Sequence, residues 1–217
     1  MAKNQPFDIE QHWALGDEWA NTLTHGIGLA LSLIGVAFLI YSPLMEGHPW
    51  KLFSFSIFGL TLVLLYGVST LYHYCHIGTL KHFYRLLDHC AIYLLIAGSY
   101  TPFTLISLQG IWGWALCITV WSLAIVGIVL KCCFVGKFNR LSLGLYLVMG
   151  WLIVFALEPL VSSLSAEGLW WLAAGGLFYT GGIVFYVLDR IRFFHAIWHL
   201  FVLGGSLCHY FAILLYV

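Results

Sequence analysis

Apolar residues dominate seven runs of this chain, roughly 20–41, 52–74, 86–108, 111–131, 141–160, 168–188 and 195–217. Each is close to the ~20 residues that an α-helix needs to cross a bilayer core. Short polar segments separate them, often with Gly or Pro, as in Glu46-Gly-His-Pro49 and Ala166-Glu-Gly168. The pattern predicts an all-α, polytopic membrane protein. A seven-helix transmembrane bundle over residues 20–217 follows a short polar segment over 1–19. No internal repeat, soluble domain or low-complexity tract stands out. Residues 1–16 are polar and mixed in charge. They lack the basic start, apolar core and small-residue cleavage site of a signal peptide, so the first span is expected to insert uncleaved.

Composition sharpens this. Of 217 residues, 62% are hydrophobic and 8% charged, against about 25% charged in a soluble domain. Net charge is zero, which gives no electrostatic case for nucleic acid. The 18% of aromatic residues suits a chain with many membrane interfaces. Six cysteines are scattered over several runs with no Cys-x-x-Cys pair. They read as small apolar residues rather than a disulfide framework or thiolate metal site.

Lysine and arginine set the orientation. Lys3, Lys81, Arg85, Lys131, Lys137, Arg140, Arg190 and Arg192 fall on one side of the alternating runs, and Lys51 alone on the other. Positive charge stays inside, so the N-terminus is expected in the cytoplasm and the C-terminus outside, in a cell-membrane protein. That orientation brings polar residues of four runs to one depth near the cytoplasmic face. They are Glu18, Asn21 and His25 at the start of run one, His73 at the end of run two, Asp88 and His89 at the start of run three, and His195 and His199 at the start of run seven. Outward segments offer His48, Glu158 and Glu167, all explicable as solvated ends.

His195 and His199 lie four residues apart, which on a helix puts both on one face and ~6 Å apart along the axis. Such a pair can grip a metal ion, or simply mark where a helix enters a membrane. Ser69 and His73 repeat the spacing. Asp88 is an ionisable group inside an apolar run, which is costly unless paired or wet; its alternative role is to cap run three. Together, His73, His195 and His199 offer three nitrogen ligands and leave a fourth position for water. That is the pattern of catalytic rather than structural zinc. Asp88 would hold or deprotonate the water, and Ser69 would hydrogen-bond to it. Unlike His-Glu-x-x-His proteases, the motif has no glutamate beside its first histidine, so a base must come from another helix.

The set Glu18-x-x-Asn21-x-x-x-His25-Gly26, Ser69-x-x-x-His73, Leu87-Asp88 with Ala91 to Ser99, and His195-x-x-x-His199 with His209 resembles the hemolysin III family. That family belongs to the progestin and adipoQ receptor superfamily. The resemblance runs from about Glu18 to the C-terminus. It implies seven helices with a cytoplasmic N-terminus. It also implies zinc held as by the matching histidines of adiponectin receptors, which are associated with ceramidase-like hydrolysis. For bacterial members it implies cytolysis or a role in membrane lipid homeostasis.

The remaining residues carry milder expectations. His25, with Glu18 and Asn21, is expected to support the site or pack helices. His209 lies 14 residues past His195, so ~21 Å deeper and only ~40° round the helix. It faces the same interior as a satisfied buried histidine. His76, His82 and His89 are expected to be solvated in the loop between runs two and three. Pro102 should kink run three and open a cavity toward lipid, and Gly175, Gly176, Gly181 and Gly182 should permit close packing. Three functions compete: a zinc hydrolase acting on a lipid amide or ester, a sensor of membrane state with structural zinc, and a cytolytic pore. The sequence shows no amphipathic insertion segment and no ring of charged pore residues for the last. Membrane lipids are the expected partners.

Overall fold

The computed structural model describes residues 9–108, 110–134 and 139–217. Residues 1–8, with Lys3, and Lys137 lie outside the described residues. All regular structure among the described residues is helical. It comprises α1 (Ile9–Glu46), α2 (Pro49–Tyr74), α3 (Gly78–Pro102), a π-helical turn (Phe103–Ser107), α4 (Gly110–Cys133), α5 (Asn139–Trp151), a 3₁₀ turn (Leu152–Ala156), α6 (Leu157–Ser163), α7 (Ala166–Val187) and α8 (Phe194–Tyr216). Seven spans are long and apolar enough to cross a membrane, with the fifth formed by α5, the 3₁₀ turn and α6. The seven-helix membrane fold expected from the runs is the fold observed. The helices pack in sequence order, and α8 returns to α1 to close a ring. The chain order also places Lys81, Arg85, Lys131, Arg140, Arg190 and Arg192 at one end of the ring and Lys51 at the other.

Three departures from the runs have local causes. α1 starts eleven residues before its apolar run, because nothing between Ile9 and Glu18 forbids continuing a helix. That extension carries Glu18 on a rigid element. α3 starts at Gly78 rather than near residue 86, so His89 is on a helix and not in a solvated loop. Run five is not one helix. Tyr100 reaches across from α3, donates its hydroxyl hydrogen to the Gly150 carbonyl at 2.9 Å and accepts the Ile153 N–H at 3.0 Å. A phenol thus takes up two backbone groups that the broken helix leaves open, as buried backbone in a membrane requires. After Pro102 the chain passes into a π-helical turn, closed by the Leu108 N–H to the Phe103 carbonyl at 2.8 Å.

α3 is the most enclosed span, with 67% of its most apolar stretch buried, whereas 17% is buried in the fifth and sixth spans. α2 and α8 follow at 50% and 39%, and α1 and α4 at 28%. A cavity of 570 Å³ lies inside, lined by every helix except α4. Of the four glycines expected to pack closely on α7, Gly175 and Gly182 do so. A Cβ at Gly175 would collide with the His209 ring, and one at Gly182 would meet Phe201 at 2.7 Å.

Candidate metal centre

Three histidines from two helices converge at one end of the ring. His73 stands in the last turn of α2, and His195 and His199 in the first two turns of α8. The chain enters α8 through Phe193, whose left-handed backbone (φ 62°) turns it out of the loop after α7. One ligating nitrogen from each histidine lies within 4.8 Å of the other two. The ring centroids are 5.2 Å apart for His73–His195, 5.0 Å for His73–His199 and 4.7 Å for His195–His199.

Neighbouring helices decide which nitrogen of each ring is available. His73 Nδ1 lies 2.9 Å from Glu18 Oε2. A carboxylate only accepts, so this nitrogen carries a hydrogen, and in the neutral ring Nε2 is then the bare lone pair. His73 Nε2 is buried with no hydrogen-bond partner. The other Glu18 oxygen accepts from Lys81 Nζ at 3.0 Å, and Lys81 also sits over the Tyr72 ring, 5.1 Å from its centroid. His199 Nδ1 lies 3.3 Å from the Asn21 carbonyl and 3.1 Å from Thr24 Oγ1. Thr24 gives its own hydrogen to the carbonyls of Ala20 or Asn21, at 2.9 and 3.0 Å. His199 Nδ1 is therefore the donor, and Nε2 is left bare. Second partners of this kind fix the tautomer and aim of metal-binding histidines.

Ser69 stands one turn before His73 and is fully buried. Its hydroxyl lies 2.7 Å from His25 Nδ1, with the Asp88 carboxylate nearby. His25 also stacks on His199, with centroids 3.5 Å apart and planes 14° apart. Asp88 lies ten residues inside α3. It is too far along to cap that helix, which removes the capping role allowed by the sequence. Ser69, His73, Asp88, His195 and His199 all line the 570 Å³ cavity. Its volume falls within the ~300–1,000 Å³ of small-molecule sites. What the arrangement can do is bind a cation through three imidazoles, with a carboxylate beside it.

Sequence reasoning placed Glu18 and Asn21 at this depth but missed that Glu18 bonds His73 directly. The signal was the spacing of Glu18, Asn21 and His25 at i, i+3 and i+7, one face of a helix. The role of Thr24 had no such signal, since a helical threonine usually bonds only its own backbone, as Thr22 does to the Glu18 carbonyl at 2.8 Å. His89 borders the cavity, whereas His76 and His82 are exposed as expected. His48, Glu158 and Glu167 are exposed as well.

The chain matches the family described as Haemolysin-III related over residues 13–210. It belongs to the hemolysin III family. It is similar to the hemolysin-3 homolog of Bacillus subtilis (strain 168), 48% identical over 204 residues that cover 94% of this chain and 96% of that protein. Hemolysin-3 of Bacillus cereus is 45% identical over 201 residues, 93% and 92% of the two chains. The human monocyte to macrophage differentiation factor is 33% identical over 205 residues, 91% and 83%. The seven spans and this membership make the chain a multi-pass membrane protein, as its hydropathy implied. In this hemolysin III protein the matched region holds every residue of the histidine centre, from Glu18 to His199.

Proposed function

We propose that this hemolysin III protein is a zinc-dependent hydrolase of lipid amides or esters, ceramidase-like in its chemistry, with the site facing the cytoplasm. The observation that carries the reading is the tautomer pattern. His73 and His199 each spend Nδ1 on an outward acceptor and keep a bare Nε2, and His73 Nε2 is buried without a partner. Bare, convergent imidazole nitrogens suit zinc. His73, His195 and His199 would hold the ion. When bound, zinc supplies a Lewis acid that makes water a usable nucleophile near neutral pH.

The chain's own residues do the rest. Asp88 takes the proton from the attacking water as its oxygen adds to the lipid carbonyl. The same proton then passes to the leaving nitrogen or oxygen as the carbon–heteroatom bond breaks, so the carboxylate ends as it began. Ser69, 2.7 Å from His25 Nδ1 and beside Asp88, is placed to orient the carboxylate. The apolar length of the cavity takes the acyl chain.

The test is paired. Zinc per chain and release of fatty acid from a panel of lipid amides and esters are measured for wild type and Asp88→Asn. Asn keeps shape and hydrogen bonding but removes the base. Zinc should stay, and turnover should fall by about 10²–10⁴-fold. Unchanged turnover with unchanged zinc removes Asp88 from the mechanism. Bound zinc with no turnover in wild type across the panel moves the reading to a membrane-state sensor with structural zinc.

A further inference from the structure

His209 is the one histidine of α8 that the hydrolase reading leaves idle. It lies ten residues beyond His199, so ~15 Å deeper along the helix axis, and it lines the same cavity. Both its ring nitrogens are buried with no hydrogen-bond partner among the described residues. The Leu172 carbonyl lies beside the ring, outside hydrogen-bond geometry. The ring fits against Gly175, where any Cβ would collide with it, and it meets Tyr179 edge to face, centroids 5.4 Å apart. Tyr179 also borders the cavity, and its hydroxyl is 2.9 Å from Ser206 Oγ, which in turn accepts from Tyr66 at 2.8 Å. Far from the three-histidine centre, then, the cavity holds a second polar cluster whose histidine has one donor and one acceptor unspent among the described residues.

We propose that His209 is a second binding point, which recognises a hydroxyl group on the chain of the lipid in the cavity. A neutral imidazole presents one N–H and one lone pair. A hydroxyl is the small group that can answer either one, whereas a keto oxygen answers only the first. A buried polar group without a partner is unfavourable, and a ligand that pairs it recovers that loss. The site at the end of α8 near His199 fixes the reacting carbonyl, and His209 fixes a substituent ~15 Å further on. The substrate class narrows from any acyl lipid to one hydroxylated along its chain. This rests on the reading that the cavity takes a lipid chain.

The experiment uses the purified full-length protein in detergent with a fluorescent fatty acid bound. Stearate and a positional series of hydroxystearates are compared as displacing ligands. One positional isomer should displace the probe about tenfold better than stearate, the worth of roughly one neutral hydrogen bond. In His209→Phe that preference should vanish while the affinity for stearate holds. His209→Leu serves the same purpose if the Phe variant does not fold. Stearate binding with no isomer preferred in wild type overturns the His209 assignment alone, as does a preference that survives in both variants. Failure of stearate and of every isomer to bind overturns the lipid-cavity reading and this inference with it.

Discussion

α8 carries histidines near both ends, and the two settings differ in what the neighbouring helix offers. His199 faces α1, which presents the Asn21 carbonyl and the Thr24 hydroxyl within 3.3 Å of one ring nitrogen. His209 faces α7, which presents the bare backbone of Gly175 and no acceptor in hydrogen-bond geometry. The first ring has a fixed tautomer and an aimed lone pair. The second is packed closely but is chemically unspent. A histidine on an apolar helix therefore takes its role from the helix beside it, and position along α8 decides it only by choosing that neighbour. Polar partners make a metal-competent ligand; small partners make a tight, polar-lined wall.

The largest expected effect tests the two settings directly. His199→Ala removes one of three nitrogens and should strip most of the zinc from the purified protein, measured by elemental analysis. The loss should exceed the ~10–100-fold typical of losing an outer partner. His209→Phe should keep the full zinc complement. Full zinc in His199→Ala would reject this ligand set. Zinc lost in His209→Phe would erase the distinction between the two ends.

Next in size is Glu18→Gln. Among the described residues Glu18 is the sole partner of His73 Nδ1, at 2.9 Å, and Lys81 holds its other oxygen at 3.0 Å. A glutamine keeps the shape, but its amide no longer carries the charge that attracts the imidazole N–H and Lys81. Zinc affinity, read by competition with a chromophoric chelator, should fall about 10–100-fold. An unchanged affinity would mean that the carboxylate does no more than join α1 to α2 and α3.

How much of this the chain discloses unaided depends on the scale of the feature. The seven spans were legible because each apolar run is long and each break is polar. The convergence of His73, His195 and His199 was legible because the charge bias on Lys and Arg put those residues at one depth. Helix starts were less so. The amphipathic first turns of α3, with Lys81 and Arg85, look like a loop when only apolar runs are counted, and that misplaced His89. The break at residues 152–156 was invisible, because its cause is Tyr100 on another helix. The unpaired state of His209 was invisible for the same reason. Its burial followed from its spacing along α8, but its lack of a partner depends on α7 offering Gly175 at that level.

The smallest expected effect separates the two proposed ligands that share a tautomer. Thr24→Val deletes the hydroxyl beside His199 Nδ1 while keeping the β-branched shape, so α1 should stay helical and packed. Unlike His73, His199 has a second acceptor for the same nitrogen, the Asn21 carbonyl at 3.3 Å. That carbonyl belongs to the helix backbone, and no side-chain substitution deletes it. The ring should therefore keep its N–H on Nδ1 and its lone pair on Nε2, with a small loss of rigidity. Zinc affinity should drop by only a few fold, against the ~10–100-fold of Glu18→Gln. The threonine's own hydrogen was spent on the Ala20 or Asn21 carbonyls. Its removal also frees the Asn21 carbonyl to take the His199 N–H undivided, which further limits the loss. A drop as large as that of Glu18→Gln would show that Thr24 and not the backbone sets the aim of His199, and that the two metal-facing histidines depend on single side-chain partners alike.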